Sequence, residues 1–116
     1  MPASADGQNA GVLDSIQSGN WELRLREPGA EPKLICAMSG RNFIQLRHSS
    51  DTCDRFVVSQ SDTEVVIQYT CRGHGYGRTR ILRETGRLLK IDSQGIANGL
   101  PFEFTAEARR VGDCGG

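Results

Sequence analysis

The stretch CDRFVVSQSDTEVVIQYTC, from Cys53 to Cys71, places a cysteine at each end of a short apolar segment and so limits how the chain can fold. Two strand-like runs, RFVVSQ (55–60) and EVVIQY (64–69), flank SDT, a three-residue turn. A hairpin symmetric about Asp62 sets Val57 opposite Ile67, Val58 opposite Val66 and Cys53 opposite Cys71. Opposed residues of antiparallel strands hold their Cβ atoms about 4.5–5.5 Å apart, within reach of a disulfide. The pair is therefore expected to clamp the open end of the hairpin, a closure that stabilises by about 3 kcal/mol in the chain-entropy model. Cys36 and Cys114 then pair by elimination and tie the C-terminus to an early strand.

The rival use of these cysteines is metal. Structural zinc sites favour C-x-x-C ligand pairs, and the chain has none. CRGH (71–74) lacks the second cysteine of a haem attachment motif. Neither a metal nor another cofactor is expected. Disulfides imply an oxidising space, the periplasm or the outside of the cell.

The C-terminal half carries the cleanest pattern. Asn98–Gly99 is the strongest two-residue hairpin turn in the chain. Folding about it puts Gly95 opposite Phe102, Ser93 opposite Phe104, Ile91 opposite Ala106 and Leu89 opposite Ala108, an apolar or small face. The other face pairs Lys90 with Glu107, Asp92 with Thr105 and Gln94 with Glu103. One register separates core from solvent this well, which is how register is specified. A preceding strand, 76–84, joins through the three-residue loop TGR, with Thr79 and Ile81 inward and Arg80 opposite Asp92.

Upstream, NWELRLR (20–26) alternates with Trp21, Leu23 and Leu25 on one face. EPGAEP breaks the run and KLICAM (33–38) resumes it. VLDSIQ (12–17) reads as a short helical turn. In SGRNFIQLRH, Phe43, Ile44 and His48 follow a helical spacing behind a Ser39 cap; the alternative is another short strand, and the helix is preferred. The expected fold is mainly β: an antiparallel meander of six or seven strands, strongly twisted or half-open as a barrel, with one or two short helices. Residues 1–11 are expected as a tail, 12–114 as a single domain and 115–116 as a second tail.

At 116 residues the chain is one domain by length. Fourteen basic and fourteen acidic residues cancel, which argues against broad electrostatic binding of nucleic acid or anionic lipid. No apolar run approaches the roughly 18 residues of a membrane span. The opening MPASADGQNAG has neither a basic start nor an apolar stretch, so it does not read as a signal peptide.

Chemistry is sparse. CRGHGYGRTR (71–80) gathers three glycines with His74, Tyr76, Arg78 and Arg80, the materials of an anion-binding loop. It lacks the G-x-x-x-x-G-K-[ST] spacing of a nucleotide loop, and a wide turn with arginines on a wet face accounts for the same residues. His48 and His74 are the only imidazoles, and no oriented base–nucleophile set accompanies them. Asp51 and Asp54 fall in loop-like sequence beside a cysteine, and Glu103 and Glu107 fall on the polar strand face. Trp21, Phe102 and Phe104 either line an apolar pocket inside a curled sheet or fill an ordinary core.

The early GNWE (19–22), the spaced cysteines 36, 53 and 71, and the long YTCRGHGYGRTRILRETGRLLKIDSQGIANGLPFEFTAEARRVGDC together resemble a family of exported bacterial proteins. It is the domain of unknown function numbered three thousand six hundred and seventeen, and the resemblance covers about residues 18–114. It implies export, for which the family carries a leader that is missing from this chain, and it brings no activity, ligand or catalytic residue. The chain is thus expected to be a non-enzymatic binding or interaction module of the bacterial envelope. The alternative is a carrier or sensor for a small ligand, either anionic near Arg78 and Arg80 or apolar inside the curled sheet.

Overall fold

The computed structural model describes residues 11–115; residues 1–10, the bulk of the expected tail, and Gly116 lie outside the described residues. A single helical turn, α1 (Gly11–Asp14), buries Val12 and Leu13. Seven strands follow: β1 (Gly19–Leu25), β2 (Lys33–Ala37), β3 (Asp54–Gln60), β4 (Glu64–Cys71), β5 (Gly75–Thr85), β6 (Leu88–Ala97) and β7 (Leu100–Gly112). They form one open antiparallel sheet in the order β2-β1-β7-β6-β5-β4-β3. Strands β3 to β7 are a meander, and the β1–β2 hairpin joins its far end by pairing β1 with β7. No helix among the described residues is long and apolar enough to cross a membrane.

The β6–β7 hairpin has the register set by its turn. Asn98 and Gly99 adopt positive φ of 52° and 83°, the left-handed pair that matches the twist of the flanking strands. Leu89 pairs with Ala108, Ile91 with Ala106, Ser93 with Phe104 and Gly95 with Phe102. All the large members of that face are buried, and they meet Trp21, Val65, Ile67, Tyr69 and Ile81 from the other strands. Arg80 pairs with Asp92 as expected.

Three local expectations are corrected. Val57 faces Ile67, but Val58 bulges out and Ser59 takes the place opposite Val66. The extra residue lies on an edge strand, where a bulge costs little pairing and adds twist. The β5–β6 connection is shorter than TGR: Thr85 pairs with Leu88 across Gly86–Arg87, and the register shifts between Arg83 and Thr85. Residues 40–48 are neither one helix nor a strand. They form two 3-10 turns, Gly40–Phe43 and Leu46–His48. The Ser39 cap is real: its hydroxyl accepts from the Arg41 N–H while Asn42 returns a bond to the Ser39 backbone.

Because β2 and β3 are opposite edges of the sheet, the segment between them has to cross the whole inner face. It does so with Phe43, Ile44 and His48 buried against the strands. Phe43 meets the Trp21 ring edge-on at 5.7 Å. The Thr79 hydroxyl donates to the Ile44 carbonyl at 2.5 Å and lies 2.8 Å from the Ser93 hydroxyl, so buried polar groups bond one another beneath the crossing.

Both expected disulfides are present. Cys53 and Cys71 lie 4.2 Å apart between Cα atoms and close the β3–β4 hairpin. Cys36 and Cys114 lie 5.6 Å apart and fasten β2 to the chain just beyond β7. The second bridge straddles β1, whose Asn20 pairs with Cys36 on one side and with Gly112 on the other. Two disulfides are compatible with an oxidising, extracellular location.

Candidate functional site

The glycine- and arginine-rich stretch 71–80 is divided between a turn and one strand. His74 sits in the β4–β5 turn, whereas Tyr76, Arg78 and Arg80 alternate along β5 with Gly77, Thr79 and Ile81 and share its outer face. Arg80 pairs with the Glu64 carboxylate and, at 3.2 Å, with Asp92. Arg78 donates to the Gln68 side-chain oxygen at 2.9 Å. No described opening is lined by all four of these residues, and Arg80 faces two carboxylates. The glycines answer to backbone needs. Gly75 has φ +114°, and a Cβ there would overlap the Ile96 carbonyl oxygen. A Cβ on Gly77 would meet the Tyr69 hydroxyl at 2.5 Å.

Both histidines touch this turn. His48 is 3% exposed, with Nδ1 2.9 Å from the Tyr69 hydroxyl and Nε2 2.9 Å from the His74 carbonyl. A carbonyl only accepts, so Nε2 carries a proton towards His74, and Nδ1 is the ring atom that meets the Tyr69 hydroxyl. Burial drives the Tyr69 phenol up to about 12, against a smaller opposing pull from Arg47. His48, Asp51 and Cys71 bring ligand-type atoms within 4.8 Å of one another. The Cys71 sulfur, however, is bonded to Cys53, and both ring nitrogens of His48 are engaged. That donor set does not suit a metal ion, which needs a thiolate and a free imidazole nitrogen.

A roomier feature than that turn lies elsewhere. A cleft of about 810 Å³ opens on the inner face, bordered by edge strand β2, the crossing segment and the start of edge strand β3. Leu23, Leu25, Ile35, Leu46 and Phe104 give it apolar walls. Lys33, Arg41, Arg47 and Arg55 stand around them, against the carboxylates of Glu31 and Asp51. The volume falls in the usual range of small-molecule sites. Of the aromatic residues considered for such a pocket, Phe104 lines it, Trp21 is sealed in the core, and Phe102 stacks on Phe104 at 6.2 Å with Arg47 over its ring.

Three of these residues connect the cleft to the frame. Gln45 is buried, and its amide nitrogen donates to the carbonyls of His48 and Asp51, each at 2.8 Å. Its oxygen thereby faces Arg55, which donates from Nε at 3.1 Å and Nη2 at 3.0 Å. Arg41 pairs with Asp14 of α1. Desolvation, with the charge of Arg41 second, lowers the Arg55 pKa from its ordinary value.

Residue pattern did not single out Arg41, Gln45, Arg47 or Arg55. A signal for Arg55 was nonetheless available: it lies two residues before Val57, so the expected hairpin already places a guanidinium on the inward face of β3. No model of a protein family matches the chain, and no curated protein matches it either.

Proposed function

We propose that this chain is a non-enzymatic binding domain of the bacterial envelope that takes a small, largely apolar molecule into the cleft on its inner sheet face. The observation that carries this reading is the cleft itself, where half-buried Leu25, Ile35 and Leu46 line an opening between the two edges of the sheet. Two disulfides and the resemblance to exported bacterial proteins support the oxidising compartment. A binding rather than catalytic role is supported by the histidines. His48 is committed to Tyr69 and to a backbone carbonyl, and His74 lies 3.9 Å from Asp51 in an exposed turn.

Titration with the neutral apolar dye N-phenyl-1-naphthylamine tests the proposal. Saturable binding with one equivalent is expected. Ile35→Gln, at a half-buried wall position, should weaken it about fivefold, as loss of roughly 1 kcal/mol of apolar contact would. No saturable binding, or binding indifferent to Ile35, would refute the cleft as the site.

A further inference from the structure

The charges on the two faces of the sheet are arranged differently. On the outer face cations meet carboxylates: Arg24 with Glu22, Arg80 with Glu64 and Asp92, Lys90 with Glu84, Arg109 with Glu107. Around the cleft stand four cationic residues and two carboxylates, with Asp14 pairing with Arg41 from beside it, although the whole chain has a formal net charge of zero. A local excess of positive charge beside apolar walls suits a ligand with an anionic head and a hydrocarbon body.

Arg55 is where that excess is most clearly held in place. It belongs to the inward row of β3, opposite buried Tyr69. Its donors on Nε and Nη2 both end on one neutral oxygen, that of Gln45, and among the described residues no carboxylate forms an ion pair with it. Gln45 cannot turn away, because its nitrogen is held by two carbonyl groups. The guanidinium is thus fixed at the rim while its charge remains uncompensated by an anion. Although Arg55 is exposed as a whole, partial desolvation and then the nearby Arg41 charge disfavour its charge, and a bound anion would offset the repulsion from Arg41.

Resting on the proposed apolar cleft, we infer that its natural ligand class is a monocarboxylate with a hydrocarbon chain, its head group on the Arg55 guanidinium and its chain along Leu25, Ile35, Leu46 and Phe104. A guanidinium matches a carboxylate through paired N–H donors.

Calorimetric titration with octanoate and with 1-octanol separates the head group from the chain. Octanoate is expected to bind about tenfold more tightly, the equivalent of about 1.4 kcal/mol. Arg55→Gln should reduce octanoate to the affinity of octanol while leaving octanol binding unchanged, which also reports that the variant is folded. Arg55→Lys should keep part of the preference, and added salt should reduce it. Equal affinities in the parent protein, or a preference that survives Arg55→Gln, would overturn the carboxylate assignment and leave the apolar cleft standing. Failure of both ligands to bind would overturn the assignment together with the cleft.

Discussion

The Nδ1 atom of His48 lies 2.9 Å from the hydroxyl of Tyr69, joining the crossing segment to β4 at a point closed to water. Neither group has another use there: the second ring nitrogen serves the His74 carbonyl. Tyr69→Phe keeps the ring and its packing but leaves a buried ring nitrogen of His48 without its hydrogen-bond partner. An unsatisfied buried group costs about 1–3 kcal/mol. Urea unfolding should show the unfolding free energy falling by that amount, read as a lower midpoint at an unchanged slope.

The same phenol gives a pH signature. Its folded pKa is raised from 10.0 to about 12, so the protonated form is the one the fold favours. Its contribution is fully present below the unfolded value and is lost as pH rises through the folded one. Stability should therefore decline between pH 10 and about 12, with the Tyr69 phenolate absorbance emerging only at the top of that range. Tyr69→Phe should remove this component of the decline.

The bridges differ in what they constrain. Cys53–Cys71 spans 18 positions and Cys36–Cys114 spans 78. Paired alanine substitutions should cost about 3 and about 4.5 kcal/mol respectively in the chain-entropy model. Chemical unfolding of the two variants measures the difference. Thiol titration of the unfolded, unreduced parent should find no free cysteine, since all four are bridged.

Gly73 in the β4–β5 turn and Gly75 at the start of β5 both have positive φ, +79° and +114°. Space separates them: nothing lies within 4 Å of a Cβ on Gly73, whereas one on Gly75 would overlap the Ile96 carbonyl. Gly73→Ala should cost about 1 kcal/mol from conformation alone. Gly75→Ala adds a backbone clash and should cost roughly 3 kcal/mol or prevent folding. Thermal melts of the two variants make the comparison.

How far the sequence spoke for the structure depended on the range of the interactions. The β6–β7 hairpin was fully legible because an Asn-Gly turn and a two-residue alternation fix one register from within. The Cys53–Cys71 bridge followed from the same local symmetry, even though the bulge at Val58 shifts the register between it and the turn. The pairing of β1 with β7 had no local signal, since alternation says which face of Trp21, Leu23 and Leu25 is buried but not which strand lies beside them. In residues 40–48 the spacing of Phe43, Ile44 and His48 suits a helix and two 3-10 turns equally well. Tertiary bonds from Thr79 and Tyr69 decide between them. The cleft was least legible, because it exists only where the two ends of the sheet border the crossing segment.

Two-dimensional amide NMR during titration with 1-octanol tests the central claim most directly, since it reads where an apolar ligand lies. Resonance shifts should concentrate at Leu23, Leu25, Ile35, Leu46 and Phe104, which border one opening in the folded chain. Shifts confined to the outer face of β5, at Tyr76, Arg78 and Arg80, or scattered without saturation, would contradict the account.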